Sequence, residues 1–91
     1  MYKIKTTNKF EKDFVKCLKR NLDTNALVEV LKILEDSGNL PRKYKSHILS
    51  GNFSGYLECH IKPDWLLIWR QNDNAKTIEL ARTGTHADLF R

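Results

Sequence analysis

From Tyr56 to Ile61 apolar and polar positions alternate, Leu57, Cys59 and Ile61 against Tyr56, Glu58 and His60. That two-residue period predicts a strand with one face on a core and the other, bearing His60, left open. Trp65 to Trp69 is almost continuously apolar, which predicts a central strand covered on both faces. Between them Lys62-Pro63-Asp64 reads as a turn, Pro63 presetting φ at the second turn position. Asn72-Asp73-Asn74 is a second turn, Thr77 to Arg82 a further strand, and Gly84 breaks it before His86-Ala87-Asp88-Leu89-Phe90.

The first half changes period. Tyr2, Ile4 and Thr6 alternate with Lys3 and Lys5 as a short strand. Phe10, Phe14, Cys17 and Leu18 then recur on one helical face, predicting a helix over about Phe10 to Arg20 capped by an Asn8/Glu11 box. Asp23 caps a second helix whose buried stripe is Leu27, Val30, Leu31 and Leu34, with Leu22 stapled onto Leu27. Ser37-Gly38-Asn39 ends it and Pro41 prevents its continuation. Residues 41–55 read as loop. The resulting order is β-α-α-β-β-β, an α+β fold with a mainly antiparallel sheet and a helix hairpin packed on one face.

Ninety-one residues predict one domain, 1–91, with a single core. With 41% hydrophobic and 30% charged residues, the composition is that of a globular chain rather than a disordered one. No apolar run reaches the ~18 residues of a membrane span, and the N-terminus lacks a signal-peptide pattern. Cys17 and Cys59 fall in apolar phase, predicting buried thiols; of free thiols in a reducing cytoplasm and a single disulfide, the first is the simpler reading. The net charge of +5 is uneven: residues 1–47 carry 11 Lys/Arg against 6 Asp/Glu, residues 48–91 five against five. A basic half suits a polyanionic partner, because Lys and Arg release counterions from phosphates.

The chain's three histidines are His47, His60 and His86, and Asp64 lies near the middle one. Three imidazoles and a carboxylate could ligate zinc, but spacings of 13 and 26 residues lack the close ligand pair of zinc sites. Alternatively they could cut RNA without metal. One group takes the ribose 2′-hydroxyl proton, the oxygen attacks phosphorus, and another group protonates the departing 5′-oxygen. Imidazole suits both transfers, each worth ~10²–10⁴-fold. Trp65 and Phe90 are candidate stacking platforms for bases. A non-catalytic module holding RNA or protein through basic helices and aromatics is the competing class.

Tyr44-Lys45-Ser46-His47, Leu49-Ser50-Gly51, Gly55-Tyr56, His60, Pro63-Asp64-Trp65 and Arg82-Thr83-Gly84-Thr85-His86 through Leu89-Phe90 resemble the YafQ branch of the RelE/ParE toxin superfamily. The match is ordered across the C-terminal half; the N-terminal helices agree in pattern. The resemblance implies a RelE-like fold and a type II toxin that is a ribosome-dependent, metal-independent mRNA endonuclease acting in the A site. It implies no cofactor, an acidic, partly disordered antitoxin, the ribosome and mRNA as partners, no membrane, and a cytoplasmic location.

By position, His47, His60, Asp64 and His86 correspond to the branch's catalytic polar residues, and Trp65 and Phe90 to its aromatic ones. His86 is expected as general acid and His60 or Asp64 as base, with His47 positioning phosphate. Lys45, Lys62 and Arg82 are further phosphate contacts, although an ion pair accounts equally for Arg82. Leu57 stands where relatives commonly carry arginine. The ParE branch shares the fold but poisons gyrase, an outcome the histidine set disfavours.

Overall fold

The computed structural model describes residues 1–90. The chain forms β1 (Lys3–Thr6), α1 (Asn8–Lys19), α2 (Thr24–Ser37), β2 (His47–Ile48), β3 (Leu57–Lys62), β4 (Trp65–Asn72), β5 (Thr77–Gly84) and α3 (His86–Leu89). One-turn 3₁₀ segments occupy Arg42–Tyr44 and Gly51–Phe53. The sheet order is β1-β5-β4-β3-β2. Its pairs are antiparallel except β1 with β5, which is parallel. The expected α+β order therefore holds, extended by β2 inside the predicted loop and by α3 at the end. Two residues are too few for β2 to show a period; its pairing with Glu58 and Leu57 of β3 defines it.

Both helices cover one face. Phe10 and Cys17 of α1 and Leu27, Val30 and Leu34 of α2 form one core with Cys59, Ile61, Trp65, Leu67, Trp69, Ile78 and Leu80. Leu18 is not buried as the stripe predicted: with Val15 and Val28 it stays about half exposed, lining an apolar groove with Phe10, Phe14 and Leu31. Cys17 and Cys59 are free and buried, and burial pushes the Cys59 thiol up to about 12.

Leu66 and Ile68 point to the opposite face and are fully buried there beneath Leu89, Leu49, Phe53, Tyr56 and Ala81. That face is only partly open, because two wholly apolar side chains of β4 require a cover of their own.

The helix starts follow local chemistry. Thr7, not Asn8, caps α1: its hydroxyl accepts from the Phe10 amide at 3.1 Å and reaches the Leu80 and Ala81 carbonyls of β5. Glu11 instead accepts from the Thr6 hydroxyl at 2.6 Å. A neighbour's carbonyls thus select the cap, which is worth about 1 kcal/mol. Asp23 caps α2 as expected, accepting from Asn25 N. Gly38 closes it at φ +73°, where a Cβ would lie 2.5 Å from the Tyr2 ring.

Candidate active site

The Pro63–Asp64 turn joining β3 to β4 and the Thr85 start of α3 meet at one end of the sheet. There Asp64 Oδ1 accepts from the His86 backbone N–H at 3.1 Å and from its ring Nδ1–H at 2.7 Å. The two contacts, ring first, hold the Asp64 carboxyl below its ordinary range. A carboxylate only accepts, so the His86 proton facing it sits on Nδ1 and Nε2 is the nitrogen left for exchange. The His60 ring lies 5.9 Å from the His86 ring, tilted by 51°. Its Nδ1 faces the Pro63 carbonyl at 3.4 Å; in the neutral ring that donation leaves the lone pair on Nε2. Two imidazoles thus stand together, each with its Nδ1 engaged.

The element carrying His86 is only one turn long and is pinned from outside. Thr85 and Asp88 form a reciprocal capping box, and Arg20, just past α1, grips Asp88 through two bonds of 2.6 and 3.2 Å. Arg20, followed by the Thr85 amide, holds the Asp88 carboxyl well below the usual carboxylate range. Gly84 at φ +154° lets α3 approach, since a Cβ there would sit 2.8 Å from Asp88 Oδ2. Phe90 follows, 45% exposed, its ring 6.4 Å from His86 and 5.7 Å from Phe53. The expectation of an available ring beside the histidines fits this position.

Other expected site residues are placed differently. Trp65 is 2% exposed and belongs to the helix-side core. Strand alternation sets it with Leu67 and Trp69, and its indole N–H donates to Thr83 Oγ1 at 2.9 Å. It is therefore a core residue and no stacking platform. Arg82 is engaged with Asp13 at 2.7 and 3.3 Å, the bond that raises its own pKa; the ion-pair reading describes it. His47 stands on β2 directly across from Glu58 of β3, with Nε2 3.2 Å from Oε1 and Nδ1 3.1 Å from the Lys45 carbonyl. Both of its nitrogens face acceptors, leaving neither free to take a proton from substrate. Lys45 and Lys62, with Lys43, border a cleft of about 270 Å³ that His60 and Glu29 also line.

The zinc arrangement is not formed: among the described residues no group of three or more His, Cys, Asp or Glu side chains is placed to hold a metal ion. Glu58, 5% exposed under His47, was missed as a partner because its position in the period gives its face but not its burial. Phe53 and Tyr56 were missed too. Their rings meet edge to face at 6.0 Å, and Arg70 lies 5.4 Å over Tyr56. A larger cleft, about 760 Å³, lies at the other end of β4 around Arg70, Asp73 and Thr77 and contains no histidine.

A helix hairpin thus covers one face of a five-stranded, mainly antiparallel sheet, and two imidazoles, His60 and His86, stand together at one end of it. The family described as the bacterial toxin of type II toxin-antitoxin systems, YafQ, matches residues 2–91, so the likeness extends through the N-terminal helices as well. The mRNA interferase toxin YafQ of Escherichia coli K12 is 39% identical over 88 residues, covering 96% of this chain and 94% of its own. The crystal structure of YafQ from E. coli BL21(DE3) superposes with a TM-score of 0.91 at 36% identity over the whole of both chains. YafQ in the E. coli DinJ–YafQ complex gives 0.90 at 37%, again over both full chains. The chain belongs to the YafQ family of type II toxin–antitoxin toxins.

Proposed function

We propose that this toxin is an mRNA interferase, an endoribonuclease that cuts mRNA in the ribosomal A site by metal-independent acid–base catalysis. The observation carrying this reading is the His60–His86 pair at 5.9 Å with Asp64 on Nδ1 of His86. His60 Nε2 accepts the ribose 2′-hydroxyl proton as the 2′-oxygen bonds to phosphorus. The bond from phosphorus to the 5′-oxygen breaks, and His86 Nε2–H protonates that oxygen. The products are a 2′,3′-cyclic phosphate and a 5′-hydroxyl end, and solvent resets the two rings.

Asp64, already committed to His86, orients the acid rather than acting as the base. Phe90 supports a base beside the reacting phosphate, while Lys43, Lys45 and Lys62 oppose phosphate charge along the His60 cleft. His47, held by Glu58 with its side chain half exposed, positions the phosphate rather than moving a proton. The ribosome would supply the substrate geometry that an open site of this size leaves undefined.

The E. coli relative's complex with DinJ supports a protein antitoxin for this chain too. Given the +5 charge, the antitoxin is acidic and partly disordered, folding on the toxin in the cytoplasm. Primer extension on translated mRNA tests the activity. The unaltered protein produces discrete cuts, and His86→Ala and His60→Ala each reduce cleavage by about 10²–10⁴-fold with the fold retained. A folded double variant that still cuts would sink the proposal.

A further inference from the structure

On the same face of the sheet as His60, a second concavity lies beyond Phe90. It has a volume of about 360 Å³, within the range of about 300–1,000 Å³ that small-ligand sites occupy. Phe53, Tyr56 and Ala81 form its apolar wall, and Asn8, Lys9 and Asn52 stand at its polar rim, where Glu79, paired with Arg70, and Arg82, paired with Asp13, also line it. Neither aromatic neighbour stacks on Phe53 face to face: Tyr56 and Phe90 meet it at 86° and 77°. The amides of Asn8 and Asn52 carry no hydrogen bond, and Lys9 has no ion-pair partner, among the described residues. All three are exposed.

The concavity is joined to the chemistry through rings in contact, Phe53 to Phe90 at 5.7 Å and Phe90 to His86 at 6.4 Å.

Resting on the nuclease reading above, we infer that this concavity is a nucleobase subsite for a nucleotide of the RNA flanking the scissile bond. Its aromatic wall takes the base by apolar and ring contacts, which every base can make. Asn8 and Asn52 offer donors and acceptors to the base edge, the groups that discriminate one base from another. Lys9, in the first turn of α1, meets the accompanying phosphate. The sequence preference of cleavage is set here, away from the residues that move protons. An apolar wall alone would suit a peptide equally. What favours RNA is the unbroken ring path to the His60–His86 pair, with uncommitted amides and a free cation at the rim.

The test uses the full-length protein and translated mRNA, with cleavage positions mapped by primer extension and rates measured on a short RNA presented in the ribosomal A site. Asn52→Ala and Lys9→Ala alter exposed side chains, and Phe53→Leu keeps an apolar filling. The inference expects Asn52→Ala to redistribute the cut sites at one flanking base, and Phe53→Leu to weaken binding without changing that preference. It expects KM to rise on the order of 10-fold in each variant, equivalent to about 1.4 kcal/mol, toward the lower end of base–aromatic stacking. For Asn52→Ala and Lys9→Ala, kcat stays near that of the unaltered protein.

An unchanged cut map and unchanged KM in all three, with the unaltered protein active, would overturn the subsite while leaving the nuclease reading intact. Variants that cut normally but escape neutralisation by the antitoxin would also overturn it, assigning the concavity to protein binding. No cleavage by the unaltered protein would remove both.

Discussion

At the scale of single residues, the site rests on where two protons sit. Asp64 fixes the His86 proton on Nδ1, and the Pro63 carbonyl does the same for His60. Asp64→Asn replaces an acceptor-only group by one that can also donate, so His86 loses the constraint on its tautomer and orientation. The expected outcome is a fall in kcat with little change in KM, read in the same cleavage assay. Because the two His86 contacts lower the Asp64 pKa, its carboxylate stays charged below the ordinary carboxylate range. Mild acidification therefore leaves this constraint in place.

His60, His86 and Asp64 were legible as chemistry because their residue types suit proton transfer and few others in the chain do. Trp65 shows the limit of that reasoning. As an aromatic near the histidines it was a candidate stacking platform, but β4 alternation directs it into the helix-side core, where Thr83 satisfies its indole.

Among the elements, α3 is the one that cannot stand alone. Four residues make too short a helix to persist unaided, so its capping box and the Arg20–Asp88 pair hold His86 and Phe90 in place. Arg20→Ala is expected to accelerate amide hydrogen exchange across residues 86–89 and to lower cleavage, with Arg20→Lys restoring part of both. The pH dependence follows from the lowered Asp88 pKa. A carboxyl depressed in the folded state contributes stability that is full above its unfolded value, about 3.9. That stability is lost as pH falls through the folded value. Between about pH 4 and pH 2, the Tm of Asp88→Asn should therefore fall less steeply than that of the unaltered chain.

The longer elements were readable from period, cap and breaker: α2 between Asp23 and Gly38, and β4 from its apolar run. The short ones were not. β2 exists through pairing with β3, and α3 through a bond from Arg20, 68 positions away.

For the whole molecule, charge separates two jobs. Lys43, Lys45 and Lys62 share one cleft with His60, whereas the lysines of α1 are spread along a helix. Lys62→Ala should weaken RNA binding uniformly across sequences and lower the salt slope of binding by about 1, as expected when one phosphate contact is lost. Binding titrations across a salt series measure this directly. An unchanged slope would place Lys62 outside the RNA path. Lys43→Ala is the companion variant, preferable to one at Lys45, whose φ of +51° already strains a side-chain-bearing residue.

The linear pattern by itself determined the longer strands and helices, which face of β3 carries His60, and which residue types can exchange protons. It does so because alternation, caps and turns are local, each set by neighbours a few positions apart. Tertiary structure decided which of the candidates meet: that His86 lies against Asp64 and beside His60, that His47 is taken by Glu58 and Arg82 by Asp13, and that Trp65 is buried. Those outcomes depend on strand register and on ion pairs between residues far apart in the chain, neither of which leaves a periodic trace in the sequence.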